Sequence, residues 1–451
     1  MKKIKIKSYC SIIVSKIVQK LSASILKGGS NFPGTIALKF DKDILKTVAS
    51  NYSVIIVTGT NGKTTTTSMI YNTIKSSNLP VISNNTGANM FSGIVSCFVK
   101  NYSFKNKAKR YAVIEVDEAN LIYVTSYITP EIICITNLFR DQLDRYGEVY
   151  STLNVILKGI KNIPSTTLLL NGDESLLGDL DLKNPMLYYG FNTKVYEDSS
   201  IDVNADAKFC KKCKSPYQYN FITYNHLGDF YCESCGYKRP HLNYFVNRID
   251  EITSEYSHIE INNQEFIINQ PGIYNIYNAL SSYGVAKILN ISTEYIFSSL
   301  KNQKSQFGRQ EKINIDGKEL NIILVKNPAG YDEAINTVTL NKGNISLAIL
   351  LNDNYADGRD VSWIWDVNFE KLNQLKIDDI FISGIRLYDM AIRLKISGLN
   401  LDKFKIEDNY DSLINDMKKS SSDSIFVLAT YTSMTSLRKF LVKKGYIKKI
   451  W

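Results

Sequence analysis

Two stretches of the chain alternate short apolar runs with segments of helical periodicity. In the first stretch the apolar runs lie at 54–58, 111–116, 132–137 and 167–171. In the second they lie at 320–325, 345–351, 379–383 and 424–429, and helical patterns separate them at 331–339, 386–397 and 433–444. Continuous β-branched runs between helices are typical of parallel strands that are covered on both faces. The pattern therefore predicts two α/β units with parallel sheets.

A different pattern separates these two stretches. Cysteines and tyrosines are concentrated at 208–240, short alternating strands follow at 244–269, and a helix is predicted at 275–289. We expect the linker between the two units at 303–317. A chain of 451 residues is too long for one ordinary core. The predicted division is a basic N-terminal segment at 1–45, a central domain at 46–305 with an insertion at 208–240, and a smaller Rossmann-like domain at 306–451.

The N-terminal segment combines lysines with apolar residues at helical spacing. Ile13, Ile17 and Leu21 recur every four residues, which predicts an amphipathic helix with its lysines on the other face. Such a helix can contact anionic lipid, and the alternative is a helix that docks on the protein with solvated lysines. Lys16 and Lys20 interrupt the apolar run that a signal peptide needs, and no uninterrupted run of about 18 apolar residues exists to span a bilayer. We expect a cytoplasmic protein, with the inner face of the plasma membrane as a candidate site of peripheral contact.

A glycine-bracketed loop follows the first predicted strand and precedes a helical segment. Backbone N–H groups in such a loop bind phosphate, its lysine contacts the β- and γ-phosphates, and the next threonine offers its hydroxyl to Mg²⁺. The general pattern would need a glycine at Val57, so this is the shorter GxxGKT form. The loop predicts nucleotide binding by Gly59, Thr60, Asn61, Gly62, Lys63, Thr64 and Thr65.

Polar residues also follow the next predicted strands, at the edge of the sheet where open α/β folds bind ligands. Glu115 lies at the end of one apolar run, and Asp117 and Glu118 come directly after it. A carboxylate there can hold Mg²⁺ beside the phosphates, and Glu115 is the preferred candidate because it falls inside the apolar run. The alternative for Asp117 and Glu118 is to cap the next helix. The polar run at 137–146 is likewise either functional or a helix cap.

Four of the seven cysteines form two pairs, Cys210 with Cys213 and Cys232 with Cys235. This spacing predicts a zinc ribbon whose closed shell of four sulfurs leaves no position for water, so the site should be structural. Two disulfides are the alternative, and they would need an oxidising compartment. Nearby lysines and tyrosines also allow a nucleic-acid role for the ribbon. We favour the structural role, because small ribbons need aromatic residues for their core.

The order of these motifs resembles that of the Mur ligases, which join amino acids to the muramyl peptide. The matching segments are the loop at 59–65, Glu115, the run at 137–146, the run from Gly272 to Ala279, and Gly308-Arg309. In that family ATP converts a carboxylate into an acyl phosphate, which an amine then attacks. The resemblance therefore implies ATP and Mg²⁺ as cofactors.

The resemblance also implies roles for individual residues. Glu115 would bind Mg²⁺, Asn275 and Asn278 would lie near the adenine, and Arg309 would reach the nucleotide from the domain junction. Helix capping is the alternative for the two asparagines. The family usually has a histidine where this chain has Gln142, and a neutral nucleophile such as ammonia needs little base assistance.

Lys158 falls near the position where several Mur ligases carry a carbamylated lysine that bridges a second Mg²⁺. An exposed helical lysine is the alternative for this residue.

One branch of the Mur ligases is especially similar, the MurT subunits of lipid II isoglutaminyl synthases. The similarity runs from about residue 30 to the end and includes the cysteine insertion and the segments 84–90, 139–144 and 352–366. It implies amidation of the α-carboxyl of D-glutamate in the lipid II stem peptide, with ammonia from a GatD-type glutaminase subunit. That partner contributes a cysteine and a histidine, and the third member of the triad would be Asp360 of this chain, with Asp357 and Asp353 as rivals. A helix-capping loop is the alternative for these acids.

Charge leaves the choice of partner open. The formal net charge of +10 suits acidic partners such as nucleotides, phospholipid and nucleic acid. Because 44 acidic residues are interspersed among 54 basic ones, no concentrated basic face is visible, and we expect no nucleic-acid binding. Two rival functions remain: an amino-acid ligase of Mur or folylpolyglutamate type that needs no partner, and a P-loop ATPase whose zinc ribbon engages nucleic acid.

Overall fold

A nine-stranded sheet forms the centre of the first α/β unit in a computed structural model of the chain. The structure describes residues 5–25, 31–84, 88–104, 108–140, 149–195, 206–303 and 309–448. The strands of this unit are β1 Tyr52–Thr58, β2 Val81–Ser83, β3 Arg110–Glu115, β4 Ile132–Ile135, β5 Thr167–Asn171, β6 Met186–Phe191, β7 Gln218–Tyr224, β8 Leu227–Tyr231, β9 Tyr244–Ile252, β10 Ser257–Ile261 and β11 Gln264–Ile268.

The strand order in the sheet is β11-β10-β9-β6-β5-β4-β1-β3-β2. Within this sheet, the neighbouring strands from β9 through β6, β5, β4, β1 and β3 to β2 all pair in parallel. The β9–β10 and β10–β11 pairs are antiparallel. β7 and β8 form a separate antiparallel hairpin. β1 lies between β3 and β4, which follow it in sequence on opposite sides. The carboxyl end of β1 is therefore a switch point of the sheet, where open α/β folds bind ligands.

Helices cover both faces of this sheet. They are α1 Ile6–Ile25, α2 Phe32–Phe40, α3 Ile44–Val48, α4 Lys63–Ser76, α5 Phe91–Asn101, α6 Leu121–Thr125, α7 Val149–Ile160, α8 Ile273–Ile288 and α9 Thr293–Lys301. β1 is buried along its whole length, and its side chains alternate between two cores. Val54 and Ile56 pack with α3, α5 and α7, whereas Ile55 and Val57 pack with α4 and α8. This double burial explains the uninterrupted apolar run in the sequence.

The second unit has a six-stranded sheet of order β12-β13-β17-β14-β15-β16, which is parallel except for the β12–β13 pair. Its strands are β12 Arg309–Ile315, β13 Lys318–Leu324, β14 Ile345–Leu350, β15 Ile377–Ser383, β16 Phe404–Glu407 and β17 Ser424–Ala429. Its helices are α10 Pro328–Thr339, α11 Leu387–Ile396, α12 Tyr410–Lys419 and α13 Tyr431–Lys443. The parallel-sheet α/β architecture predicted from the sequence is confirmed.

The linker predicted at 303–317 overlaps strand β12. Only Ile313 and Ile315 give this segment apolar character, so its pattern does not resemble a buried strand. It is an edge strand, held to β13 by a turn in which Asp316 and Gly317 both have positive φ. Asp-Gly is a strong hairpin signal, and it marks the strand pair that the apolar pattern alone missed.

Helix α1 docks on α2 and α5, but not through the apolar residues that the pattern suggested. Ser8, Ser11 and Ser15 are buried against the protein, whereas Ile13 and Ile17 are exposed. Ser11 Oγ donates a hydrogen bond to the Ala37 carbonyl at 2.9 Å, and Ser8 Oγ donates to the Asp41 carboxylate. Among the helices described, none combines the length and the apolarity that a bilayer crossing requires.

Candidate functional site

The loop from Gly59 to Gly62 joins β1 to α4 at the switch point of the sheet. Both glycines have positive φ, +120° and +83°, a conformation that side chains disfavour. A Cβ at Gly59 would lie 2.4 Å from Thr136 Oγ1, and one at Gly62 would lie 2.2 Å from Asn278 Oδ1. Close packing against the segment after β4 and against α8 therefore requires glycine at both ends of the loop.

The polar segment after β4 fixes the shape of this loop. Thr60 N–H donates to the Asn137 carbonyl at 2.9 Å, and Asn61 N–H donates to the Asn137 side-chain oxygen at 2.8 Å. The Phe139 N–H donates to Thr60 Oγ1 at 3.1 Å. This gives Asn137 a definite part in the site. The structure does not describe 141–148, so Gln142 and most of the predicted 137–146 run lie outside the described residues.

Lys63 is the first residue of α4, and its ammonium group is held by protein atoms. It lies 3.0 Å from Glu118 Oε1 and also donates to the carbonyls of Gly59 and Thr60. Burial raises the pKa of Glu118, and the adjacent Lys63 ammonium only partly offsets that effect. Glu118 is therefore the buried partner of the loop lysine. Asp117 is the helix cap, because its Oδ1 accepts from Ala119 N–H at 3.1 Å.

Glu115 ends β3 directly beside the loop, paired in register with Val57. Its Oε1 accepts a hydrogen bond from Asn89 Nδ2 at 3.0 Å, and Asn84 bonds both its backbone N–H and its carbonyl. Its Oε2 is buried and has no hydrogen-bond partner among the described residues. Because an unpartnered buried carboxylate oxygen is costly, this geometry fits a Mg²⁺ ligand.

Asn275 and Asn278 lie on α8 and are both buried. Asn278 Oδ1 accepts from Thr66 Oγ1 at 3.1 Å, and its Nδ2 donates to Asn275 Oδ1 at 3.2 Å. Asn275 Nδ2 in turn donates to the Pro271 carbonyl at 2.7 Å. Only Asn278 reaches the cleft beside the loop, and Asn275 holds it in place.

A cleft opens between the loop and the second α/β unit. It is lined by Asn61, Gly62, Thr65, Asn137, Tyr224, Tyr274, Asn278, Ile323, Leu324, Lys326, Ala329, Gly330, Glu333 and Ala334. The amide groups of Asn61 and Asn327 bond each other reciprocally across it, at 3.1 and 3.4 Å. Burial raises the pKa of Glu333 in this wall to about 7. The side chain of Arg309 lies outside the description; its backbone pairs with Ile323 at the start of β12.

The four ribbon cysteines converge as the spacing predicted. Their sulfurs all lie within 4.8 Å of one another, with 3.6 Å between Cys210 and Cys235 and 3.4 Å between Cys213 and Cys232. A tetrahedron with Zn–S bonds of about 2.3 Å has sulfur separations of about 3.8 Å. The distances are too long for disulfides, and all four thiols are free. The donor set therefore fits a closed metal site.

The three candidate aspartates after β14 differ in their surroundings. Asp357 is buried, and both its oxygens accept from Thr432; burial raises its pKa. Asp353 is paired with Arg386 at 3.1 Å. Asp360 is exposed, and hydrogen bonds from Ser362 hold its pKa below the usual value. Only Asp360 therefore presents its carboxylate outward without an ion pair in the described chain.

Lys158 and the two tryptophans of the 352–366 segment lie in different surroundings. Lys158 is exposed on the last turn of α7. Trp363 packs on Tyr331 with ring centroids 6.1 Å apart, whereas Trp365 is 48 % exposed. Asn327 lies directly after β13, at the start of α10. The Asn-Pro pair that it forms with Pro328 is typical of a helix N-terminus.

Comparison with known proteins agrees with this architecture. The Mur ligase middle domain matches residues 57–233, and the MurT ligase C-terminal domain matches residues 324–434. In solved structures, a pseudomurein peptide ligase type C from Methanothermus fervidus superposes with a TM-score of 0.67 at 20 % identity, covering 89 % of this chain and 81 % of that one. MurF from Thermotoga maritima in complex with ADP gives 0.64 at 14 %, covering 92 % and 84 %. These structures share the fold.

Two curated relatives are considerably more similar in sequence. Both are called lipid II isoglutaminyl synthase (glutamine-hydrolyzing) subunit MurT. The one from Streptococcus pneumoniae is 39 % identical and covers 94 % of this chain and 95 % of its own length. The one from Staphylococcus aureus strain COL is 35 % identical and covers 91 % and 93 %. The resemblance inferred from the sequence is confirmed, and the chain belongs to the MurT family of Mur ligases.

Proposed function

We propose that this chain is the ligase subunit of a glutamine-dependent lipid II isoglutaminyl synthase. It would use ATP to amidate the α-carboxyl of D-glutamate in the lipid II stem peptide, giving D-isoglutamine during peptidoglycan synthesis. The observation that carries the proposal is the 39 % identity to a MurT subunit over 94 % of the chain. The site geometry supports the chemistry. A subunit also implies a partner, and we assign that role to a GatD-type glutaminase.

The reaction divides into two steps at the cleft beside the loop. In the first, an oxygen of the substrate carboxylate attacks the γ-phosphorus of ATP, and the bond to the β-phosphate oxygen breaks to release ADP. In the second, ammonia attacks the carbonyl carbon of the acyl phosphate, loses a proton, and expels inorganic phosphate. The acyl phosphate is the activated species that makes amide formation favourable.

The chain's own residues bind and orient the nucleotide. The N–H groups around Gly62 and the N-terminus of α4 would bind the phosphates, as glycine loops before helices do. Lys63 would leave Glu118 and contact the γ-phosphate, where its charge stabilises the transferring group. Thr64 and Glu115 would hold Mg²⁺, which neutralises phosphate charge. Tyr224 and Tyr274 line the cleft where the adenine of the nucleotide would lie.

Histidine chemistry has no place in this scheme. The chain has three histidines, and His226, in the turn between β7 and β8, is buried against Glu174 and does not line the cleft. His241 and His258 lie after the ribbon and on β10. Ammonia is a neutral nucleophile, so the attack on the acyl phosphate needs little assistance from a base.

The glutaminase would bind the second α/β unit around the exposed Asp360. Large exposed side chains lie on the loop after β14, on the segment between β15 and α11, and on α11: Tyr355, Trp365, Ile385, Tyr388, Ile392 and Ile396. Aromatic and aliphatic anchors of this kind are typical of interface centres. Asp360 would accept a hydrogen bond from the partner's histidine and fix its tautomer, so glutamine hydrolysis would depend on assembly.

We assign Zn²⁺ to the four-cysteine site as a structural metal. All four ligand positions are taken by sulfur, which leaves none for substrate. In sequence the ribbon lies between β6 and β9. Its Arg239 forms a salt bridge with Asp173 at 3.0 Å. The metal would therefore stabilise one end of the sheet. We place the reaction on the cytoplasmic side of the plasma membrane, where ATP and a lipid-linked substrate meet.

The direct test supplies the purified chain with ATP, Mg²⁺, lipid II and ammonium, without a partner, and looks by mass spectrometry for an amide in place of the glutamate acid. We expect the amide, and we expect none with Lys63→Ala. Adding an amino acid in place of ammonium tests the amino-acid ligase function. Ligation of the amino acid without amide formation would overturn the proposal, as would ATP hydrolysis that responds only to nucleic acid.

A further inference from the structure

Helix α1 presents its large apolar side chains to solvent. Five such residues, spaced three or four apart, lie along the outward face: Ile6, Tyr9, Ile13, Ile17 and Leu21. Residues at this spacing share one side of a helix. Exposure is 84 % at Ile6, 36 % at Ile13, 53 % at Ile17 and 55 % at Leu21. Tyr9 is 47 % exposed, and its ring centroid lies 5.0 Å from that of Phe104. We call these five residues the outer face of α1.

The opposite face of α1 already provides the docking of the helix. Ser8, Ser11, Ile12 and Ser15 are buried, and two of the serines bond α2 and Asp41 as described above. Lys16 Nζ also donates to the Tyr102 carbonyl. The usual arrangement of an amphipathic surface helix is thus inverted, with small polar residues inside and large apolar residues outside. Apart from the contact of Tyr9 with Phe104, packing against the described residues does not explain the outer face.

The charge of the segment identifies the kind of partner. The first 40 residues contain eight lysines and no acidic residue, so they carry most of the formal net charge of +10. Lys5 and Lys20 are exposed at the two ends of α1. Lys20 lies on the side of the outer face, contrary to the prediction that the lysines would all lie opposite the apolar residues. Apolar residues flanked by lysines suit the interface of an anionic membrane.

We propose that the outer face of α1 inserts into the interfacial layer of a membrane that contains anionic phospholipid. The helix would lie in the plane of the surface, with its aliphatic side chains among the acyl chains and its lysines at the headgroups. A second copy of the chain is a poorer partner, because an isologous contact would bring two lysine-rich surfaces together. The inference rests on the proposed function in one respect. That function supplies the reason for membrane binding, because the membrane would carry the lipid-linked substrate.

The test is sedimentation of the full-length chain with two kinds of vesicle, phosphatidylcholine alone and phosphatidylcholine with phosphatidylglycerol. The test variant is Ile13→Asp with Ile17→Asp. The matched control is Ile392→Asp with Ile396→Asp, because these two isoleucines are also four residues apart and exposed, on α11. We expect binding to the anionic vesicles that falls roughly tenfold or more in the test variant and is unchanged in the control.

Three results would overturn the proposal: equal binding to neutral vesicles, retained binding by the test variant, or a dimer that the test variant dissociates without any vesicle binding by the parent chain. The Lys63→Ala variant separates this inference from the proposed function. It should bind vesicles normally while forming no amide. Circular dichroism and thermal unfolding of each variant check that the substitutions leave the fold intact, which is expected because the altered side chains are exposed.

Discussion

The side-chain amides of Asn61 and Asn327 form a reciprocal pair between the phosphate loop and the second α/β unit. Asn327 also caps α10, because its Oδ1 accepts from Gly330 N–H at 2.8 Å. One side chain therefore sets both the start of a helix and its distance from the loop. The second unit is thus in direct hydrogen-bonded contact with the loop at the proposed nucleotide site.

This pair gives a first prediction. Asn327→Ala should lower the free energy of unfolding by about 1 kcal/mol through the lost cap and raise the KM for ATP about tenfold through the lost loop contact. Asn409→Ala is the matched control, because Asn409 caps α12 in the same way, through Ser412 N–H at 2.9 Å, without touching the loop. Equal ATP kinetics in the two variants would contradict a role for the pair in nucleotide binding.

The nitrogen source should separate Asp360 from Lys63. Asp360→Asn should spare amidation with ammonium and reduce glutamine-driven amidation roughly 100-fold or more, because it removes the carboxylate that orients the partner's histidine. Lys63→Ala should abolish both, because it removes the charge at the phosphates. The assays need the chain with its glutaminase partner. Equal loss with both nitrogen sources in Asp360→Asn would refute the triad role.

Asp357→Asn is the companion to that experiment. Asp357 is buried and bonded to Thr432, so its replacement should lower stability by about 1 to 3 kcal/mol without changing the ratio of the two activities. Chemical denaturation and the ratio of glutamine-driven to ammonium-driven rates are the two measurements. A selective loss of the glutamine-driven rate here would transfer the triad role to Asp357.

Glu115→Gln should weaken Mg²⁺ binding rather than folding. The amide can keep the oxygen that accepts from Asn89, but it places N–H groups where the unpartnered Oε2 now lies. We expect amidation to fall roughly 100-fold at low Mg²⁺ and to recover partly as Mg²⁺ is raised. Unfolding curves without nucleotide serve as the control for structure. An unchanged dependence of the rate on Mg²⁺ would remove Glu115 from the metal site.

Removal of the ribbon metal should destabilise the chain. Metal analysis should find one zinc per chain, and a chelator or Cys213→Ser should lower the melting temperature by more than about 5 °C, because a closed site contributes folding energy. Cys97→Ser is the control, since Cys97 lies on α5 away from the ribbon. A metal-free chain with unchanged melting but no activity would argue that the metal is catalytic.

The buried pair of His226 and Glu174 predicts a dependence of stability on pH. The atoms His226 Nε2 and Glu174 Oε2 are 2.8 Å apart with both side chains fully buried. Burial alone would lower the pKa of His226, but the charge and hydrogen bond of Glu174 raise it above the ordinary 6.5. The charged histidine is therefore favoured in the folded state.

This contribution to stability is fully present below pH 6.5 and is lost as the pH rises through the raised folded pKa. We expect the free energy of unfolding in urea to fall over that window. His226→Gln should remove that part of the slope, whereas His258→Gln on β10 should not. A slope that is unchanged in His226→Gln would assign the effect to other groups.

Local patterns predicted the elements whose burial is uniform. The apolar runs at 167–171 and 424–429 coincide with β5 and β17, because both faces of these strands are covered. The same reasoning did not predict four other strands, because they are short, half-polar or at an edge of a sheet: β2, β6, β12 and β16. The phosphate loop and the cysteine set were predictable because their chemistry depends on close spacing in sequence.

The contacts that complete the site join distant parts of the chain, so spacing could not reveal them. Lys63 and Glu118 are 55 residues apart, and Asn61 and Asn327 are 266 apart. Glu118 looked like a helix cap because acids at that position usually are one, and only the tertiary fold turns it toward Lys63. The orientation of α1 was left open for a related reason, because periodicity shows that two faces differ without showing which one is buried.

The cysteine ribbon is an insertion in the sequence but a connector in the topology. β6 ends at Phe191, β9 begins at Tyr244, and the two strands are parallel neighbours, so the chain must return to the same end of the sheet between them. In most α/β folds a helix makes that return. Here the ribbon makes it, with Phe221, Tyr224 and Leu227 packed on the core beneath α8. With the proposed zinc bound, a metal site would take the place of helical hydrogen bonding in one crossover of an otherwise ordinary parallel sheet.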